Sequence, residues 1–412
     1  LDGQQKQKDR RYISTWGLDD WSDGLGLQRV NVNVAGKTAR LWDVENVDTR
    51  YSLLRPSPAF NTVTIVPSRA DLMAHLEWGG NLFFVEGSRN SAAAGSTPAY
   101  AYQFVVPVTV GSKVEFSIPA QTQGLIQTII PVKGKIAYVA AVNQQLYSLA
   151  TLSAVPASLG PIVSNTGLGV VRAPKAAVMG GTLYLMSFAS GNVDTPGPLN
   201  FYLISDALPI GSVTPVGSIF SSVGTQLPPL QGDGVTMWVQ TPDGVYDFNV
   251  AIQKVVDTSS SRDSNGQLQL FRNNLLFKNG NSLTEYDGTN LTPVGYDRED
   301  GLPADKMGPI TAMTANWERT FAAVQGATYS HILTMDGSKV WQYYARIPTA
   351  GLWVKELFLS NQPDNIDRLW VMFHNHGYPG YFLNPLVNPQ AAATYSYVPT
   401  GHVQWPIYDG GL

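Results

Sequence analysis

The chain has 412 residues, of which 44% are apolar and only 14% charged, with 39 Gly, 27 Pro, no Cys and a net charge of -4. Coiled coils, helical bundles and disordered chains need more charge or less apolar sequence than this, so the composition points to a turn-rich β protein with a sizeable core. The missing cysteines exclude disulfide staples, thiol catalysis and cysteine-ligated zinc, the acidic balance disfavours nucleic acid as a partner, and no run of eighteen apolar residues offers a membrane span. The opening at Leu1, without Met and without a charged-then-apolar leader, suggests that the natural start lies upstream.

Residues 1–57 begin with a polar, basic stretch (Lys6, Lys8, Arg10, Arg11), broken by glutamines and Asp9, that reads as a solvated arm. Tyr12, Trp16 and Trp21 follow among Gly17, Gly24 and Gly26. Large aromatics in so polar a setting have no core of their own to enter, and these three are the candidate partner contacts. A hairpin is expected from 27–34 returning through 38–44. Residues 58–66 read as a strand that could complete the last repeat described next.

Seven short apolar runs then recur: Leu82-Phe83-Phe84-Val85, Ile136-Ala137-Tyr138-Val139, Leu183-Tyr184-Leu185-Met186, Val235-Thr236-Met237-Trp238, Leu275-Leu276-Phe277, Thr320-Phe321-Ala322-Ala323 and Leu369-Trp370-Val371-Met372-Phe373. The first and last are 287 residues apart, a mean spacing of about 48, which is the range of propeller blades. Turn signals such as Gly79-Gly80 and Asn273-Asn274 precede the runs, and a second strand follows each. The sequence Thr-Pro-Val-Gly at 214–217 and again at 292–295 marks an outer strand, where proline is tolerated. A ring of four-stranded sheets packed face to face accounts for the period and the low charge, whereas stacked sandwiches do not predict it. The expectation is an all-β, seven-bladed β-propeller over 58–390. An N-terminal arm and hairpin (1–57) precede it, and C-terminal strands (391–412) lead towards a further β segment.

Two segments carry a resemblance. The stretch Leu283-Thr284-Glu285-Tyr286-Asp287-Gly288-Thr289-Asn290-Leu291-Thr292-Pro293-Val294-Gly295 resembles blades of propeller-like virion proteins of tailed bacteriophages. The closing Trp405-Pro406-Ile407-Tyr408-Asp409-Gly410-Gly411 resembles the start of a following β domain in such proteins. The resemblance implies a non-enzymatic structural component of the tail or head, located in the virion. It also implies contacts with other virion proteins and with copies of itself, and host-surface attachment through a glycan as a further role. It carries over no catalytic residue and no cofactor.

Several residues could bear chemistry, and each has a structural role as the alternative. His374 and His376 share a strand face but need a third ligand to hold a metal, so a polar strand end is the expectation. His75, His331 and His402 stand alone in the sequence. The acidic loops at 19–24 and 297–305 offer oxygens for calcium without the EF-hand spacing, and no metal site is assigned. Tyr344-Ala345-Arg346-Ile347-Pro348 is faintly similar to the sialidase Arg-Ile-Pro signature, but Thr334-Met335-Asp336-Gly337 lacks the aspartate-box spacing. The competing function is a secreted carbohydrate-binding or glycoside-cleaving propeller, in which paired carboxylates would act as acid and base.

Overall fold

The computed structural model describes residues 41, 43–50, 54–63, 71–87, 100–105, 112–115, 126–132, 135–140, 145–151, 154, 157–161, 175–180, 182–188, 199–204, 213–219, 229–249, 251–258, 267–279, 282–295, 306, 308–374, 376–386 and 396–404. These residues hold seven four-stranded antiparallel sheets and no α-helix. In sheets 1 to 6 the strands are paired in chain order. Sheet 1 opens with Asp71–Trp78, sheet 2 with Ile126–Val132, sheet 3 with Lys175–Met179, sheet 4 with Leu230–Gly232, sheet 5 with Leu268–Phe271 and sheet 6 with Ile310–Ala315. Sheet 7 takes Val354–Ser360, Arg368–Phe373 and Gly380–Leu383 from one end of the chain, and Asn61–Thr62 from the other. The latter lies inside the 58–66 segment expected to complete the last repeat. The chain is therefore an all-β β-propeller.

All seven apolar runs fall on the second strand of a sheet, or in one case overlap it. The run at 235–238 begins in a turn, and its strand is Met237–Thr241. Second strands have a sheet neighbour on either side and further sheets above and below, so both of their faces are buried: every residue of Arg368–Phe373 is buried, and so is every residue of Thr320–Gln325 but the last. The fourth strands are the outer ones. Leu291–Pro293 is exposed throughout, and Pro215 and Pro293 both lie on fourth strands, where a missing N–H costs no ladder bond.

Apolar clusters join the sheets face to face. Leu76, Phe83 and Val85 of sheet 1 pack with Ile129, Ile136 and Leu149 of sheet 2. Similar clusters join sheets 3 and 4, 4 and 5, 5 and 6, and 6 and 7. The seam between sheets 7 and 1 is aromatic. Trp370, fully buried, lies with its ring centroid 5.1 Å from Phe84, 4.8 Å from Phe104 and 4.8 Å from Tyr381. Arg368 lies over the rings of Phe104 and Tyr381 and grips Asp364 through two bonds of 2.6 and 2.7 Å. Across the same seam Lys355 Nζ donates to the Leu72 carbonyl at 2.7 Å, and His75 Nδ1 lies 2.9 Å from Glu356.

Residues 43–50 and Ser57 pack on the outer strand of sheet 6, Trp341–Arg346. Thr49 N donates to the Tyr343 carbonyl and Ser57 Oγ to that of Tyr344, while Leu41 and Val44 enter the cluster between sheets 5 and 6. Asp43–Glu45 pairs with His402–Gln404, so the 402–407 stretch, expected to lead outward, returns as far as Gln404 to the N-terminal segment. Asp43 and Val44, the end of the 38–44 stretch expected to return as a hairpin strand, are held by this distant partner. The first leg of that hairpin, 27–34, and the closing 405–412 lie outside the described residues.

Candidate interaction face

A strand order that follows the chain puts the turn between strands 1 and 2 and the turn between strands 3 and 4 at the same end of each sheet. Neighbouring sheets place these turns in contact: Gly180 N donates to the Gly234 carbonyl at 2.7 Å, and Arg272 Nε donates to the Trp317 carbonyl at 3.0 Å. One end of the molecule is thus built from these turns.

Four of the turns in sheets 4 to 6 use one device, an Asp or Asn whose side-chain oxygen accepts backbone N–H groups two and, in most cases, three residues on. Asp233 accepts from Val235 and Thr236, Asp287 from Thr289 and Asn290, Asn316 from Glu318 and Arg319, and Asp336 from Ser338. In three of them the next residue is glycine: Gly234, Gly288 and Gly337. In the fourth it is Trp317, whose side chain is 66% exposed. The turn itself does not need an indole. Among the described residues, Val235 (67%) and Leu291 (51%) are the other exposed large apolar side chains at this end.

Trp317 is set on a braced turn. Arg272 and Asn273 form a two-residue hairpin turn with positive φ (50° and 66°), from which the Arg272 guanidinium reaches the carbonyls of Trp317 and Glu318. A Cβ at Gly337 would overlap that guanidinium, so the glycine leaves room for it.

The charges at this end are sorted. Arg319 faces Asp336 at 3.7 Å, and Lys339 is paired with the buried Glu285 at 2.5 Å. Burial alone would raise the Asp336 carboxyl, but the Ser338 hydroxyl and amide, with Arg319 and Arg272, outweigh it and hold the group below its usual range. The Asn290 and Thr289 amides likewise hold Asp287 low. Asp233, Asp287 and Glu318 are exposed and have no cationic partner among the described residues. Among the described residues of sheets 4 to 6, the free charge of this end is therefore acidic.

Of the residues singled out from the sequence, Tyr12, Trp16 and Trp21 lie outside the described residues, as do both acidic loops, 19–24 and 297–305. His376 packs between Phe373 and Tyr378 and accepts from the Tyr378 amide at 3.3 Å; burial lowers its pKa. Among the described residues no three His, Asp or Glu side chains are grouped as a metal site. His75 and His402 are not alone in space. The first stacks on Phe358 beside Glu356, and the second lies 3.4 Å from Asp43. His331 is buried near Tyr343. Arg346 of the Arg-Ile-Pro stretch pairs with Glu45 and lies over Tyr329. Sequence reasoning passed over Trp317; the sign available was the Asn316 two residues before Glu318, a turn former, and not the exposure of the ring.

No family model matches the sequence, and none of the curated proteins does. Solved structures do match in fold. The RRP9 WD40 repeats align with a TM-score of 0.51 at 8% identity, over 79% of this chain and 99% of that one. YCF48 bound to D1 peptide aligns with 0.51 at 10%, over 79% and 99%. The extracellular domain of a hybrid two component system from B. thetaiotaomicron aligns with 0.50 at 10%, over 78% of this chain and 39% of that chain, so this protein spans about two fifths of its length. At such identities the likeness is one of fold, that of β-propellers.

Proposed function

We propose that this chain is a non-enzymatic structural component of a tailed-phage virion, a closed seven-bladed ring that presents its acidic turn end to a neighbouring subunit. The observation that carries the reading is the exposure of Val235, Leu291 and Trp317 at one end of three consecutive sheets. Exposed apolar groups concentrated at one end of a molecule mark interaction sites, and tryptophan is the residue most often found as an anchor there. The ring reading is supported by seven sheets and by the aromatic seam between the last and the first. The virion reading is supported by the resemblance of 283–295 and 405–411 to phage propeller proteins. Mass spectrometry of purified particles tests it, together with a Val235→Ser, Leu291→Ser, Trp317→Ala triple variant. The chain is expected in the particles, and the variant is expected to keep its melting temperature within a few degrees but to be excluded from them. Absence of the wild-type chain from particles, or turnover on a panel of fluorogenic glycosides, overturns the reading in favour of a secreted glycan-directed propeller.

A further inference from the structure

Resting on that reading, we infer that the occupant of the turn end is the basic, aromatic N-terminal segment of a second copy of this chain, residues 4–16, so that copies join head to tail. The face supplies one half of the argument. It combines an exposed indole and two exposed aliphatic side chains with the unpaired carboxylates of Asp233, Asp287 and Glu318, while its cations are spent on carbonyls and carboxylates of the face itself. Its complement is a segment with apolar or aromatic side chains and surplus positive charge.

The sequence supplies the other half. Residues 4–16 carry Lys6, Lys8, Arg10 and Arg11 against the single Asp9, with Tyr12, Ile13 and Trp16 beside them. Arginine and aromatic side chains together are typical of interface centres, and a guanidinium can both pair with a carboxylate and lie over an indole.

The first described residues after that stretch are anchored away from the face. Asp43 is held by buried Lys306 at 2.5 Å, and Glu45 by Arg346, the last residue of the outer strand of sheet 6. That strand runs away from the 336–339 turn, so the anchor lies at the end of sheet 6 opposite the face. A segment and a receptor that are different parts of the surface make a heterologous contact between copies, the kind that repeats from one copy to the next.

The test uses a fluorescein-labelled peptide of residues 4–16 and the full-length protein. Saturable binding by anisotropy is expected, weakening as salt is raised from about 50 to about 300 mM because the pairing charges are exposed. Trp317→Ala and Glu318→Lys, each with an unchanged melting temperature, are expected to weaken it about tenfold or more. Absence of binding, or equal binding by both variants, overturns the inference. A peptide with all four cations changed to Gln separates the two proposals: if it binds as well as the original and still depends on Trp317, the docking face stands and the basic occupant falls. Mixing settles which copy supplies the segment. A full-length chain with the four cations changed to Gln and a Trp317→Ala chain are each expected to stay monomeric alone and to form one-to-one pairs when mixed, since one supplies the intact face and the other the intact segment. A mixture that stays monomeric overturns the second-copy assignment.

Discussion

Sheets 6 and 7 are neighbours with similar cores, yet they are assembled differently. Sheet 6 is drawn from the continuous stretch 310–346, and its middle strands are buried almost end to end. Sheet 7 has three strands from 354–383, and its fourth is two residues long, joined through Gly380 to Thr62 and Tyr381 to Asn61 from the far end of the chain. Every strand pairing in the first is short in sequence, whereas the second closes a loop of some three hundred residues before its last strand bonds. The entropy of that closure grows only slowly with loop length, so the long connection is tolerated in stability and costs mainly in folding rate. What two short ladder pairs cannot supply, side chains on both faces of sheet 7 do: Trp370 and Arg368 pack at the seam with sheet 1, and Phe60 packs against Phe373 and Phe382 on the side of sheet 6.

Substituting the seam should therefore cost most. Trp370→Ala removes a fully buried indole from contact with Phe84, Phe104 and Tyr381, and is expected to lower unfolding free energy by about 3–5 kcal/mol in urea titrations. A value below about 1 kcal/mol would mean that the seam does not bear on closure.

Arg368→Met keeps volume but leaves Asp364 without its partner; a loss of about 3 kcal/mol is expected at neutral pH. The variant also carries a pH signature. The Arg368 bond holds the Asp364 carboxyl below the usual 3.8, against the opposing pull of burial. A depressed folded-state pKa contributes stability that is present above the unfolded value and is lost as pH falls through the folded one. Wild type should therefore lose stability on acidification below about pH 4 more steeply than the variant, and parallel melting-temperature curves would refute the linkage.

A smaller effect is expected from Gly380→Val. A Cβ there would overlap the ring of Phe60, which otherwise packs against Phe373 at 6.0 Å and Phe382 at 5.2 Å. Overpacking of about 1–3 kcal/mol should fall on the closing strand, with hydrogen exchange accelerating at Thr62 and Val63 before it does in sheet 6. Uniform acceleration throughout would show that the two sheets unfold as one unit.

Smallest of all, Trp317→Ala should change stability by no more than about 0.5 kcal/mol, because the ring is exposed and its turn is held by Asn316 and Arg272. A drop comparable to that of Trp370→Ala would make the indole a core element rather than a contact.

The repeat was legible because its signs are local. Second strands need apolar residues on both faces, outer strands tolerate Pro215 and Pro293, and hairpin turns need residues such as Asn273, so period, strand and edge can all be read along the chain. The segment that completes sheet 7 was legible too, as an unpaired strand left over before the first repeat. The return of His402–Gln404 to Asp43–Glu45 was not, nor was the fate of the charged residues. Arg50, Lys306 and Arg368 look like surface residues in a sequence, yet all are buried, because Tyr344, Asp43 and the seam aromatics reach them from other parts of the ring. The exposure of Trp317 is the converse case: an indole that composition would assign to the core is held outside by a turn braced from the next sheet. Hydrophobic period is a property of neighbours along the chain, while burial of a charge and exposure of an aromatic depend on which distant residues the closed sheets bring beside them, and only the tertiary structure decides that.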